Sequence, residues 1–272
     1  MTTPRENLLK VFRHESPEWI PLAGHCDPYN QPSREGMEPA LAESMGEVRW
    51  RGEATVVFSR YLGLDIMDWF HLPYRVTRRN VTVEQTTEGD KTTRVWHTPA
   101  GDLRDVSRVC RDATGAVSSN WTEHLFKGPE DLDALAAIFE DEVVEPDPEG
   151  VEATRKRREL IGDDGMLLGL MEGTPLGMMF RVYSGVATLA YLWADAPDAL
   201  RDCLGVMEQN YFQRLRIGVA SDVDVVVSVD DTSTTVISPA MFGACNLEFT
   251  DVRADRRQRQ APGPQTRRPW QG

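Results

Sequence analysis

The stretch from Asp222 to Phe242, DVDVVVSVDDTSTTVISPAMF, decides which fold class the sequence indicates. Its valine-rich beginning is typical of a buried strand, and it passes directly into Asp230, Asp231 and several hydroxyl residues. Ser238 followed by Pro239 is a start signal for a helix. A continuous apolar strand that leads into a helix is the repeating unit of a parallel α/β sheet.

The same unit recurs earlier in the chain. WIPLAG (19–24) and GMLLGLM (165–171) have the composition of buried strands, and another short strand is predicted to end near Asp68. The stretches at 3–14 and 197–221 have helical periodicity. Strands separated by helices predict a parallel sheet with crossover helices, either a barrel or an open sheet. Residues 74–109 alternate β-branched and polar side chains instead, which predicts a β-hairpin excursion.

Composition limits the class of partner. The chain has 272 residues and a formal net charge of −13, which argues against nucleic acid or an anionic membrane as the main partner and favours a small molecule. It contains no apolar run of the roughly 20 residues that a membrane span needs, and its first residues are not a signal peptide. We therefore expect a cytoplasmic protein.

The last residues differ in composition from the rest. Residues 251–272 are rich in Arg, Gln, Pro and Gly and lack an apolar period, so we expect a disordered basic tail. Residues 1–250 are expected to form one domain. The four cysteines are far apart in sequence and form neither a disulfide framework nor a zinc-finger signature.

Catalytic groups of parallel α/β proteins lie where strands end at their carboxyl side, because the following loops converge there. Candidates chosen by this rule are His25 and Cys26 after WIPLAG, Asp68, Glu172 after GMLLGLM, and Asp230 and Asp231 after the valine run.

Each candidate has a structural alternative. Asp230 and Asp231 are also suited to a helix cap or a solvated turn, although Ser238 already caps the next helix. His25 and Cys26 have the atoms of a metal or nucleophile site, but no third ligand is close in sequence. Glu172 is equally suited to an exposed turn or to a pocket.

The chain resembles the uroporphyrinogen decarboxylase superfamily, which includes methylcobamide:thiol methyltransferases. The resemblance depends on TPRENLLKVFRHESPEWIPL (3–22), HTPAGDL (97–103), GLMEGTPLGMMFRVYSG (169–185), and DVVVSVDDTSTTVISPAMF (224–242) with the helix DAPDALRDCL (195–204) before it. It implies a (β/α)8 TIM barrel whose ligand is bound at the carboxyl rim. Together with the strand-end rule, this leads us to expect His25, Glu172, Asp230 and Asp231 as catalytic candidates, and Cys26, Asp68, Arg181 and Tyr183 as substrate contacts.

Departures from the family pattern disfavour uroporphyrinogen itself as the substrate. The segment AGHCDPYNQ (23–31) lacks the arginine that grips substrate carboxylates in the decarboxylases. Their tyrosine would align near Arg181 and their serine near Asp231. A rim rich in acidic groups would repel a substrate that carries many carboxylates.

The resemblance therefore points to the methyltransferase or an uncharacterised branch, with a corrinoid protein as partner. In that branch zinc, held by His and Cys, activates a thiol, so zinc is the expected cofactor if this reading holds. Only about five of the eight βα units are recognisable, and we expect such an incomplete barrel to need a partner or a second copy, such as a homodimer. The alternatives are a genuine uroporphyrinogen decarboxylase of porphyrin biosynthesis and an inactive fragment or binding subunit.

Overall fold

The computed structural model describes residues 1–24, 51–111 and 117–246. Its α-helices are α1 (Pro4–Phe12), α2 (Arg51–Leu62), α3 (Leu132–Glu140), α4 (Pro148–Ile161), α5 (Pro175–Met178), α6 (Gly185–Asp195), α7 (Pro197–Ala220) and α8 (Pro239–Cys245). Its strands are β1 (Ile66–His71), β2 (Tyr74–Thr77), β3 (Thr82–Glu88), β4 (Lys91–Thr98), β5 (Gly101–Arg111), β6 (Val117–Glu123), β7 (Val143–Pro146), β8 (Gly165–Met171) and β9 (Val225–Ser228).

A parallel sheet of three strands has the order β1-β8-β9. The central strand β8 is buried on both faces apart from Leu170, as its continuous apolar sequence predicted. Leu167 packs on one face against Val56 of α2 and Ile161 of α4. Met166 and Leu168 pack on the opposite face against Leu8 of α1. Helices therefore cover both faces of this sheet.

The remaining described strands are antiparallel. β2 pairs with β7, and β3 to β6 form a four-stranded meander in sequence order. The meander follows from the alternation of β-branched and polar residues between 74 and 109. It is larger than the hairpin that the sequence predicted.

The prediction of a (β/α)8 barrel with about five of its eight βα units present is wrong. The described residues form a parallel sheet of three strands and antiparallel sheets of two and four strands. The neighbours β1 and β8 are separated in sequence by the whole meander, so the chain between them builds no successive βα units. The predicted strand at 19–24 is irregular in the structure.

The largest hydrophobic core lies between the meander and the helices after it. Leu103 of β5, Leu135 of α3, Leu189 of α6 and Leu204 of α7 are buried there. Within the described ranges, no helix combines the length and apolar character that a membrane span requires. Residues 251–272, predicted to be a disordered tail, lie outside the part of the chain that the structure describes.

The N-terminal helix is held to the parallel sheet by Asp224. This buried carboxylate, just before β9, accepts hydrogen bonds from Arg5 Nε of α1 at 2.9 Å and from the Leu167 N–H of β8 at 2.8 Å. Nε of Arg158 on α4 lies 3.3 Å from Asp224 Oδ2, the oxygen that also accepts from Leu167. One side chain thus joins two helices and two strands.

Candidate functional site

A pocket opens where β8 ends. Its empty space is about 300 Å³, part of it open to solvent. Its lining combines apolar side chains with four polar ones: Phe139, Met171, Glu172, Gly173, Pro175, Met178, Tyr183, Met207, Tyr211 and Arg214. This mixture of a mostly apolar wall and a few convergent polar groups is typical of small-molecule sites.

Glu172 is the first residue after β8, and its side chain is 48 % exposed. Its carboxylate Oε2 lies 3.9 Å from Nε of Arg214. The backbone carbonyl of Glu172 accepts a hydrogen bond from Ser228 Oγ at 3.2 Å, which joins the ends of β8 and β9. The prediction from strand ends therefore locates one carboxylate that does line a pocket.

Arg214 lies on α7 and is the cationic group of the pocket. Its Nη2 donates a 2.7 Å hydrogen bond to the buried Glu142, and its guanidinium lies 5.5 Å from the ring centre of Tyr74. Burial works against its charge, but Glu142 and Glu172 outweigh burial and raise the pKa of Arg214. The residue therefore stays a cation in the interior of the protein.

Glu142 has both carboxylate oxygens occupied. One accepts from Arg78, and the other accepts from Arg214 and from Asn210 Nδ2 at 3.1 Å. A buried carboxylate with this many charge-assisted partners has a fixed orientation. Glu142 thus positions Arg214 at the pocket wall.

Tyrosine hydroxyls complete the polar part of the site. Burial, followed by the charge of Glu172, raises the pKa of Tyr183 above its usual range and that of Tyr74 to about 12. Burial also raises the pKa of Tyr211. The ring of Tyr183 contacts Phe139 edge to face at 5.3 Å. These phenols therefore remain protonated at neutral pH, the form in which a tyrosine hydroxyl can donate a hydrogen bond.

Asp230 lies beside the pocket loop rather than in the pocket. Its carboxylate accepts the backbone N–H of Thr174, at 3.0 and 3.1 Å from its two oxygens. A Cβ built on Gly173 would lie 2.8 Å from Asp230 Oδ1, and one on Gly177 only 1.7 Å away. The two glycines therefore let the carboxylate approach the backbone that follows Glu172.

Two further predicted residues occupy the outside of this loop. Arg181 is exposed, and its Nη1 donates to the carbonyl of Val229, so it ties the π-helical turn Met179–Tyr183 to the end of β9. Asp231 is exposed and accepts the N–H of Ser233 at 2.9 Å, and these hydrogen bonds with Ser233 lower its pKa. Asp231 thus occupies the solvated turn that was the structural alternative.

Asp68 does not line the pocket. It lies inside β1, is 4 % exposed, and forms a bidentate ion pair with the buried Arg157 of α4, with one bond of 2.7 Å. His25 and Cys26 lie outside the described residues, so the structure says nothing of their position. Of the predicted site residues, Glu172 and Tyr183 share the pocket, and Asp230 and Arg181 border its loop.

The sequence prediction missed Arg214, Glu142, Tyr74 and Tyr211. Arg214 and Tyr211 lie three residues apart on α7 and therefore share one face of the helix. That spacing was the available signal, although a charged residue on a long helix usually indicates a solvated face. Glu142 follows α3 and carries no local signal of its own.

Among the side chains that the structure describes, no group of three or more His, Cys, Asp or Glu residues is arranged to hold a metal ion. Cys110, Cys203 and Cys245 are free thiols, and burial raises the pKa of Cys203 to about 12. No family model matches the chain, and neither does any curated protein or solved structure.

Proposed function

We propose that this chain is an enzyme that acts on a small organic molecule bound in the pocket at the end of β8. The observation that carries the proposal is the position of Glu172. This residue follows a parallel strand, its carboxylate lies 3.9 Å from Arg214, and it lines the same largely apolar pocket as Tyr183. A carboxylate, a guanidinium and a phenol that converge on one small cavity can bind, orient and exchange a proton with a ligand.

The three groups have distinct roles in this proposal. Glu172 is half exposed and accepts a proton from the reacting group. Tyr183, whose pKa burial raises, stays protonated and donates a hydrogen bond to an oxygen or sulfur of the ligand. Arg214, held by Glu142, supplies a fixed positive charge.

We assign the reaction to group transfer of the kind found in the methyltransferase or uncharacterised branch of the uroporphyrinogen decarboxylase superfamily. In methyl transfer to a thiol, the sulfur bonds to the methyl carbon while the bond between this carbon and the donor breaks and leaves its electron pair on the donor. The thiol releases one proton, and Glu172 accepts it. A corrinoid protein is the proposed methyl donor. The size of the cavity argues against a porphyrinogen, which is a large ring system.

Zinc enters this proposal only through the resemblance. The described residues offer no zinc site, and the two candidate ligands His25 and Cys26 lie outside them. No step of the proposed reaction is therefore derived through a metal. Binding, orientation and proton transfer are assigned to the side chains of the pocket alone.

Methyl transfer from methylcobalamin to 2-mercaptoethanol, followed with and without added Zn²⁺, tests the proposal. We expect Glu172→Gln to lower the rate about 100-fold or more, as loss of an acid-base group does. Asp231→Asn removes the same charge from an exposed turn and should leave the rate unchanged. Equal rates in the two variants would remove Glu172 from the mechanism.

Two other outcomes separate the alternatives. Release of CO₂ from uroporphyrinogen by the purified protein would identify a decarboxylase. A protein that unfolds cooperatively yet transfers no group to any acceptor would support the binding-subunit alternative.

A further inference from the structure

One donor in the pocket has no partner. Nε of Arg214 is buried and donates no hydrogen bond to any described residue, and the nearest oxygen of Glu172 is 3.9 Å away. The Arg214 side chain is only 9 % exposed, and its Nε is among the buried atoms of the described residues. Buried N–H groups are rarely left unsatisfied, because their desolvation is not compensated.

The charges around Arg214 are also unbalanced. Arg214 and Arg78 share the single carboxylate of Glu142, which is 3 % exposed and has no free oxygen. Glu172 is the single carboxylate on the described lining, and about half of its side chain is in solvent. Without Glu172, the cluster of Arg78, Arg214 and Glu142 carries a net positive charge, although Arg78 is partly exposed.

The rest of the cavity is apolar. Phe139, Met171, Met178 and Met207 form its walls, and methionine side chains adapt to the shape of an apolar or aromatic group. The empty space of about 300 Å³ includes open solvent, so the enclosed part is smaller and admits only a compact group rather than a large ring system.

From these observations we propose that the pocket binds a small monocarboxylate with a compact apolar body, whose carboxylate accepts from Nε of Arg214 in the place that Glu172 now faces. The inference deepens the proposed function and rests on it, because it names the substrate class as thiol acceptors that also carry a carboxylate. Glu172 acts as an internal competitor in the free protein, and the ligand releases it from Arg214 for proton transfer. A neutral or cationic analogue lacks the charge that displaces Glu172.

Ligand-observed NMR on the full chain tests this with phenylacetate, its neutral isostere phenylacetamide, and phenethylammonium. We expect phenylacetate to bind, phenylacetamide to bind at least about tenfold more weakly, as expected for loss of a charge-assisted hydrogen bond, and the cation not to bind. Glu172→Gln removes the competitor and should tighten phenylacetate binding about fivefold. Glu88→Gln makes the same charge change on an exposed strand of the meander and should leave binding unaltered.

Arg214→Met should abolish phenylacetate binding, but it leaves Glu142 with one cation fewer and endangers the fold. The Glu172→Gln measurement and the ligand series therefore decide the question without it. Equal binding of phenylacetate and phenylacetamide, no gain in Glu172→Gln, or no binding of any probe overturns the proposal. Equal binding of the acid and the amide leaves the proposed enzyme intact, whereas Glu172→Gln with undiminished turnover refutes the proposed function and not the carboxylate site.

Discussion

Asp68, Asp224 and Asp230 show how differently the same side chain is used within one sheet. Asp68 neutralises the buried Arg157, Asp224 joins α1 to β8, and Asp230 accepts a backbone N–H beside the pocket. Each carboxylate is satisfied by partners within the protein. At the residue scale, the candidate reactive group is therefore Glu172, which is half exposed and has no hydrogen-bond partner for its carboxylate among the described residues.

The tyrosines in the pocket (Tyr183 and Tyr211) and beside it (Tyr74) give a pH prediction. The pKa of Tyr74 is raised to about 12, and the pKa values of Tyr183 and Tyr211 are also raised. In the native state these tyrosines therefore keep their protons at pH values where unfolded tyrosines, with a pKa of about 10, have lost theirs. The native state then binds more protons than the unfolded state, so stability falls as pH rises above about 10.

Near-ultraviolet absorbance of the phenolate measures this titration. Tyr74→Phe should remove one of the late ionisations, and the same protein in guanidinium chloride serves as the reference. A native titration that coincides with the unfolded one would show that these hydroxyls are not shielded from solvent.

What could be predicted about individual residues depended on how local their signal was. Glu172 was found because its position directly after an apolar strand is visible in the sequence. Arg214 was missed because its partner Glu142 lies 72 residues earlier. Asp68 was expected to contact the substrate because nothing near it in sequence reveals Arg157, 89 residues away.

At the scale of elements, the loop from Glu172 to α5 is ordered by close packing. Thr174 caps α5 by accepting from the Gly177 N–H at 3.2 Å, while its own N–H donates to Asp230. The Cα of Gly177 faces this carboxylate with no room for a side chain. The conformation of the loop after β8 therefore depends on the contact between Asp230, which follows β9, and the first turn of α5.

Gly177→Ala tests this dependence. The added methyl would overlap Asp230 Oδ1, so we expect a loss of about 1–3 kcal/mol in the free energy of unfolding, measured in urea. Gly205→Ala is the matched control, because open space surrounds it on α7, and it should stabilise by about 0.5–1 kcal/mol. Equal effects of the two substitutions would mean that the loop yields without cost.

The elements themselves were largely predictable. GMLLGLM forms β8 from Gly165 to Met171, and the stretch at 197–221 forms α7 (Pro197–Ala220), because a long periodic pattern or an apolar run is decided locally. The irregular stretch at 19–24 was predicted wrongly as a strand: Ile20 is 91 % exposed, and its apolar side chain packs against nothing described.

At the scale of the whole molecule, strand order was beyond the reach of the sequence. Which strand pairs with β1 is decided by contacts between residues about a hundred positions apart, and the apolar runs fit a barrel and an open sheet equally well. Helix α1 packs on the sheet face that carries Met166 and Leu168. With helices on both faces the sheet is open, because one face of a barrel would be filled by side chains from its own strands. The alternating residues of 74–109 showed the change from parallel to antiparallel pairing but not its extent.

Asp224 gives a prediction at this scale because it joins α1, α4 and the sheet. Asp224→Asn leaves Arg5 and Arg158 without their shared anion, so we expect the whole chain to lose about 2–4 kcal/mol of stability. Asp222→Asn, two residues earlier and exposed, should change stability by less than about 0.5 kcal/mol.

Urea denaturation followed by circular dichroism compares the two variants. A protease site in α1 that becomes accessible only in Asp224→Asn would show the release of this helix directly. Equal stability of both variants would mean that α1 is held by Leu8 and its apolar neighbours alone.

The π-helical turn Met179–Tyr183 has a consequence for how this sequence can vary in length. A π turn holds one residue more than the α-helical turn that it replaces. Loss of a single codon between Met179 and Tyr183 would restore an α-helical turn, and the residues on either side would keep their orientation because the shorter segment still completes one turn. The side chains that change direction would be those of the turn itself, so a one-residue deletion here would alter the pocket wall at Tyr183 while sparing the rest of the fold.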